Sequence, residues 1–172
     1  MRTARAAAKT PVLSIIGRSG SGKTALLVRL VRRLSRKGWR IGTIKHCRHG
    51  FEADRPGKDS FRHFQAGASA SMAVSPKMLA VVRRLKCPLS LASVVKEHLP
   101  GMDLVLAEGF KRERFPRIEV WRRAVGEAPV TAPGDARLVA LVTDRPLPGY
   151  RQPQFHPSRV QDIVEFIEEE FL

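Results

Sequence analysis

The 172-residue chain is one domain's worth of sequence, long enough to bury a substantial core, and its 43% hydrophobic and 27% charged content is ordinary for a globular protein. Its 31 Lys and Arg against 16 Asp and Glu leave a formal charge of +15, which points to anionic partners: a nucleotide, a phosphorylated cofactor or nucleic acid. No apolar run approaches the ~18 residues of a membrane span, no apolar segment follows the basic start as a secretory leader requires, and Cys47 and Cys87 lack the spacing of a disulfide framework or a cysteine-based zinc site.

Residues 1–10, with Arg2, Arg5 and Lys9, read as a disordered basic extension of a cytoplasmic protein, and residues 11–172 as a single domain. Val12–Ile16 is a strand of the fully buried type. It runs into Gly17-Arg18-Ser19-Gly20-Ser21-Gly22-Lys23-Thr24, the G-x-x-x-x-G-K-T pattern of a phosphate-binding loop. The glycines let main-chain amides turn inward and approach an anion closely, and the opening of the following helix adds its free N–H groups. Lys23 places a cation against the β- and γ-phosphates, and the Thr24 hydroxyl is the expected Mg²⁺ ligand. The helix itself carries Leu26, Leu27, Leu30, Val31 and Leu34 at helical spacing, turns Arg29, Arg32, Arg33 and Arg36 outward, and stops at Gly38.

Ile41–Lys45 reads as a second strand, and His46–Gly57 as a polar loop rich in breakers. A short helix is predicted over Lys58–Ala66, ended by Gly67. Strands are predicted over Ser69–Ser75 and Met78–Leu85 on either side of Pro76, which cannot donate to a ladder. A helix over Leu89–His98 follows, then a strand at Asp103–Ala107, a charged loop over Lys111–Pro116, a strand over Arg117–Arg122, a loop over Val125–Asp135 and a strand over Leu138–Val142. A Pro-rich connection leads to a final helix, Arg159–Phe171, with Ser158 as the predicted N-cap. Buried strands alternating with helices imply an α/β fold of the P-loop NTPase type: a mostly parallel sheet, helices on both faces and an added antiparallel hairpin. Ligands of such sheets bind beyond the carboxyl ends of the strands, so the phosphate loop, Lys45-His46, Glu108-Gly109 and Thr143-Asp144 should share one rim.

On that rim Glu108 stands where the acidic partner of a Mg²⁺ site is expected, and Asp59 and Asp54 follow the second strand in a switch-like segment. Lys23, Asp59 and Glu108 are the candidate catalytic residues, and Thr24, Glu108 and Asp59 the candidate metal ligands. Lys45, His46, His49, Lys58 and Lys111 are candidate contacts to phosphate or substrate. His46, Cys47 and His49 fall short of a closed tetrahedral metal set. Thr143-Asp144 could present an acceptor to guanine N1–H and N2–H, although the full Asn/Thr-Lys-x-Asp signature of GTPases is absent.

Several stretches together resemble the MobB family, the molybdopterin-guanine dinucleotide biosynthesis protein B family. They are the phosphate loop, Lys45-His46-x-x-His49 leading to Asp54-x-x-Gly57-Lys58-Asp59-Ser60, Ala66-Gly67-Ala68, Asp103 to Lys111, Pro116-Arg117-Ile118-Glu119-Val120 and Val142-Thr143-Asp144. The match runs from about Val12 to the C-terminus, with Arg117 where the family usually carries lysine. The resemblance implies a GTP- and Mg²⁺-binding accessory protein that assists a MobA-type guanylyltransferase in attaching GMP to molybdopterin. It also implies contact with molybdopterin or a molybdoenzyme, and a dimer to which the strand hairpin contributes. Hydrolysis should be slow, because no water-orienting Gln or arginine finger is evident. A small-molecule P-loop kinase is the alternative; it would need an acceptor site and a lid, for which Lys111-Arg112-Glu113-Arg114 could serve. A nucleic-acid-binding module is motivated only by the charge, since aromatic residues are 6% of the chain and no recognition motif is present.

Overall fold

A computed structural model describes residues 10–172; the expected disorder of the basic extension falls almost wholly outside them. The chain divides into two compact units, one made of the segment up to His46 together with Leu91–Leu172, the other of Cys47–Ser90.

The larger unit holds a six-stranded sheet in which every neighbouring pair is parallel. Its strands are β1 (Val12–Ile16), β2 (Ile41–Lys45), β5 (Leu104–Glu108), β6 (Arg117–Trp121), β7 (Leu138–Thr143) and β8 (Gln154–Phe155), in the order β2-β5-β1-β6-β7-β8. Side chains alternate across it. Leu13, Ile15, Leu104, Leu106, Ile118, Val120, Ala140 and Val142 face helices α1 (Lys23–Arg36) and α4 (Val160–Phe171), whose Leu26, Leu30, Leu34, Ile163 and Ile167 complete the main core. Val12, Val105 and Ala107 face the other way, onto Leu91 and Val95 of α3 (Leu91–His98). With both faces covered, the strands need no polar alternation, which is why β1 and β5 read as continuous apolar runs.

Two sequence expectations change here. The stretch after β7 contains β8, a two-residue parallel edge strand whose register is pinned by Gln154, which exchanges hydrogen bonds with the main chain of Leu147 at 2.8 and 2.9 Å. Ser158 is not the N-cap of α4; Arg159 holds that position, and the Ser158 hydroxyl pairs instead with Nδ1 of His156 at 2.6 Å. The acidic C-terminal end of α4 also finds its reason. Glu168 accepts from Lys37 and from the Trp39 indole at 2.8 Å, and these hydrogen bonds, Lys37 foremost, hold its carboxyl below the usual range.

The Cys47–Ser90 unit consists of α2 (Asp59–Gln65) and the antiparallel hairpin β3 (Ala70–Val74) and β4 (Leu79–Arg83). Arg84 staples the hairpin base to the helix: it donates to the Phe64 carbonyl at 2.8 Å and lies 4.2 Å over the Phe64 ring. The hairpin pairs Met72 with Val81 and Val74 with Leu79, which puts four apolar side chains on one face, all more than half exposed.

Candidate functional site

The carboxyl ends of β1, β2, β5, β6 and β7 lie on one rim because all these strands run the same way. The phosphate loop leaves β1 with Gly17, Gly20 and Gly22 at positive φ, a conformation that L residues rarely adopt. Gly17 is further required by space: a Cβ there would meet the Val120 carbonyl oxygen at 2.3 Å. Gly22 is the N-cap of α1 and makes no side-chain cap, so the helix presents its first amides bare.

Three of the expected residues meet in the parallel-sheet unit. The Thr24 hydroxyl donates to the Glu108 carboxylate, with Oγ1 3.0 and 2.9 Å from its two oxygens, and Lys45 Nζ lies 3.9 Å from Glu108 Oε1. Lys45 and Glu108 are direct register partners of β2 and β5, and Ile15 pairs with Glu108 across β1. Lys23 folds back onto its own loop and donates to the Arg18 carbonyl at 2.5 Å. Burial pushes its ammonium below the ordinary lysine value; Glu108 opposes that, and the neighbouring charges of Lys111 and Lys45 reinforce it. A hydroxyl beside a carboxylate is a hard-oxygen donor pair, and it fits a Mg²⁺ ion that keeps several of its waters.

Gly109 and Phe110 follow β5 with φ of 96° and 54°; for phenylalanine this is a strained conformation. The turn stacks Phe110 on His46, ring centroids 4.7 Å apart, and it leads to Lys111. Arg117, buried in β6, holds the Lys111 segment from beneath by donating to the carbonyls of Lys111 at 3.0 Å and Glu113 at 2.7 Å. Glu119, also buried, accepts from the amides of Val130 and Thr131 at 2.5 and 2.8 Å. The Arg-Ile-Glu-Val stretch therefore anchors two loops by hydrogen bonds between its charged side chains and main-chain groups.

Asp144 accepts from the Arg123 amide at 3.1 and 3.3 Å, while the Thr143 hydroxyl is turned into its own bend, donating to the Arg145 carbonyl at 2.7 Å. His49, Lys58 and Asp59 belong to the Cys47–Ser90 unit. Lys58 is the N-cap of α2, and Asp59 opens that helix, where a carboxylate suits the positive end of the dipole. Asp54 accepts from Ser60 and from the Arg55 amide, and the Ser60 hydrogen bond first among these holds its carboxyl low. No group of three potential ligands suited to a metal occurs among the described residues.

Beside the phosphate loop opens a cavity of about 580 Å³, lined by Ser19 to Gly22, Arg122, Ala124, Val125, Glu127 and Asp144. Its size is that of a small-molecule site. Of the lining residues, Glu127 is held by Arg18, which bridges to it at 2.6 Å and donates to the Ala128 carbonyl at 3.4 Å. Arg122, Ala124, Val125 and Glu127 were not legible as site residues, because only the parallel register of β6 against β1 and β7 brings their segment to the loop.

The family model for molybdopterin guanine dinucleotide synthesis protein B matches residues 12–144. The chain is 35% identical over 159 residues to the molybdopterin-guanine dinucleotide biosynthesis adapter protein of Haemophilus influenzae, covering 92% of this chain and 88% of that one. It is likewise 35% identical over 140 residues to the adapter protein of the same name from Escherichia coli, covering 80% of each. The crystal structure of a MobB protein homolog from Bacillus stearothermophilus superposes with a TM-score of 0.69 at 26% identity, over 93% of this chain and 97% of that one. With a parallel sheet, a glycine-rich loop at its rim and these relatives over most of its length, the chain belongs to the MobB family.

Proposed function

We propose that this chain is an adapter in molybdopterin guanine dinucleotide biosynthesis that binds GTP with Mg²⁺ at the β1–α1 loop and assists a MobA-type guanylyltransferase in the attachment of GMP. The observation that carries the reading is the loop itself. Three positive-φ glycines precede an uncapped helix start, and beside it the Thr24 hydroxyl touches the Glu108 carboxylate. Amides and the helix dipole hold the phosphates. Lys23 leaves the Arg18 carbonyl for a phosphate oxygen, exchanging a neutral acceptor for an anionic one. Thr24 and Glu108 are the residues that would hold Mg²⁺, which when bound neutralises charge on the phosphates. Lys45 and Lys111 add positive potential around Lys23.

Hydrolysis in this reading is slow, since the sequence shows no evident water-orienting Gln or arginine finger, and the role is to hold or hand over the nucleotide. The reading includes a homodimer formed through the apolar face of the β3–β4 hairpin, and contact with molybdopterin or a molybdoenzyme. The test is titration of Lys23→Ala with Mg·GTP. Affinity should fall by about tenfold or more, the scale of one charge-assisted contact to phosphate, with the circular dichroism spectrum unchanged. Undiminished affinity would remove the proposed mechanism.

A further inference from the structure

The cavity beside the phosphate loop contains one cation among its lining residues, Arg122, the residue that directly follows β6. Its guanidinium stands close to Gly22, with one terminal nitrogen 4.0 Å from where a Cβ on that glycine would be. The side chain is half-buried and makes no hydrogen bond or ion pair with any described residue, although the carboxylates of Glu127 and Asp144 line the same space. Those carboxylates are engaged elsewhere, Glu127 with Arg18 and Asp144 with the Arg123 amide. A guanidinium held partly out of water with its donors unspent is poised for an acceptor that the protein does not itself provide. Ser21 repeats the pattern: it is 1% exposed, it lines the cavity, and its hydroxyl has no partner among the described residues.

We infer that Arg122 selects the base of the bound nucleotide, donating its two-pronged guanidinium to O6 and N7 of guanine in this cavity. The assignment rests on the nucleotide site proposed above and extends it to base choice. The chemistry decides the base. Guanine presents two adjacent acceptors at O6 and N7, which an arginine fork matches, whereas adenine presents an amino group at position 6 that would face the arginine donor to donor. The adjoining edge of guanine carries N1–H and N2–H, and a carboxylate such as Asp144 retains free lone pairs after accepting one backbone amide. Ala124 and Val125 supply the apolar lining that a planar ring needs. A wrong base leaves Arg122 desolvated and unpaired, and that penalty is the source of discrimination.

The experiment compares Mg·GTP, Mg·ATP and Mg·7-deaza-GTP, which lacks only N7, on the wild-type chain and on Arg122→Ala by calorimetric titration. Wild type should favour GTP over ATP, and over 7-deaza-GTP, by about tenfold. Arg122→Ala should lose affinity for GTP by a similar factor, keep its affinity for ATP, and bind GTP and 7-deaza-GTP equally. Equal losses for GTP and ATP would make Arg122 a phosphate contact and overturn the assignment while leaving the nucleotide site standing. Indifference of the wild type to N7 would overturn it without recourse to a variant. A wild-type chain that binds none of the three overturns the nucleotide site and this assignment together.

Discussion

At the scale of single residues, several charged side chains fasten the protein's own backbone, Arg117, Glu119 and Asp144 among them. Asp135 shows this in its plainest form. Its carboxylate takes Nε and a terminal nitrogen of Arg137 at 2.9 and 2.7 Å, and also the Arg137 amide at 2.9 Å. These hydrogen bonds, with the side-chain pair first, lower its carboxyl from 3.8 to about 2. A depressed folded-state value means stability that is present above the unfolded value near 3.8 and is lost as pH falls toward 2. Asp135→Asn should therefore be less stable than wild type near neutrality, and the gap should close as urea midpoints are measured from about pH 5 down to about pH 2. A gap that stays constant across that range would show that the pairing contributes nothing through charge. Such a residue could not be singled out beforehand, since a carboxylate two positions before an arginine is ordinary surface chemistry until the fold draws the pair against Arg117. The phosphate loop is the opposite case. Its glycines and Lys23 lie within one continuous stretch, Gly17 to Lys23, so their meaning needs no tertiary contact.

Elements show the same division between local and distant causes. Strands buried on both faces announce themselves as short apolar runs and helices with an apolar stripe by their period; β1, β6 and α1 lie where these signals place them, and β5 lies one residue further on. Two features are decided by contacts made only in the fold. β8 is two residues long in a proline-rich stretch and is a strand only because β7 offers it an edge. The α4 start looked capped by Ser158, but His156 captures that hydroxyl and the helix opens one residue later. Packing of α1 is also testable. Leu30 is fully buried among β-strand side chains and α4, so Leu30→Ala removes methyl groups that nothing nearby can replace. The variant should be about 2–5 kcal/mol less stable by urea denaturation, with an unchanged slope. A loss below about 1 kcal/mol would mean that the site collapses around the smaller residue.

For the whole molecule, the surplus of positive charge has a visible location in the parallel-sheet unit. Arg29 and Arg33 donate to neutral acceptors, the carbonyls of Pro157 and Ser158 and the side chain of Gln161, so their charges stay uncompensated. Arg32 and Arg36 line the same cleft. The hairpin unit presents a different surface. Met72, Val74, Leu79 and Val81 share one exposed face of a two-stranded ribbon, an arrangement marginal in water by itself. If two copies cover that face, the melting midpoint should rise with protein concentration, and Leu79→Lys should abolish the rise. A midpoint independent of concentration in the wild-type chain would remove the hairpin from the dimer proposal.

Both tryptophans lie in the parallel-sheet unit, and each indole has a defined acceptor. Trp39 donates to Glu168 of the last helix, whereas Trp121 donates at 2.6 Å to the carbonyl of Glu127, a residue that borders the cavity beside the phosphate loop. The protein thus comes with two native fluorophores whose surroundings differ. One is quenched or shifted when the C-terminal helix detaches, the other when something displaces the segment that carries Glu127. Occupancy and unfolding can be followed as separate optical signals, without attaching a dye.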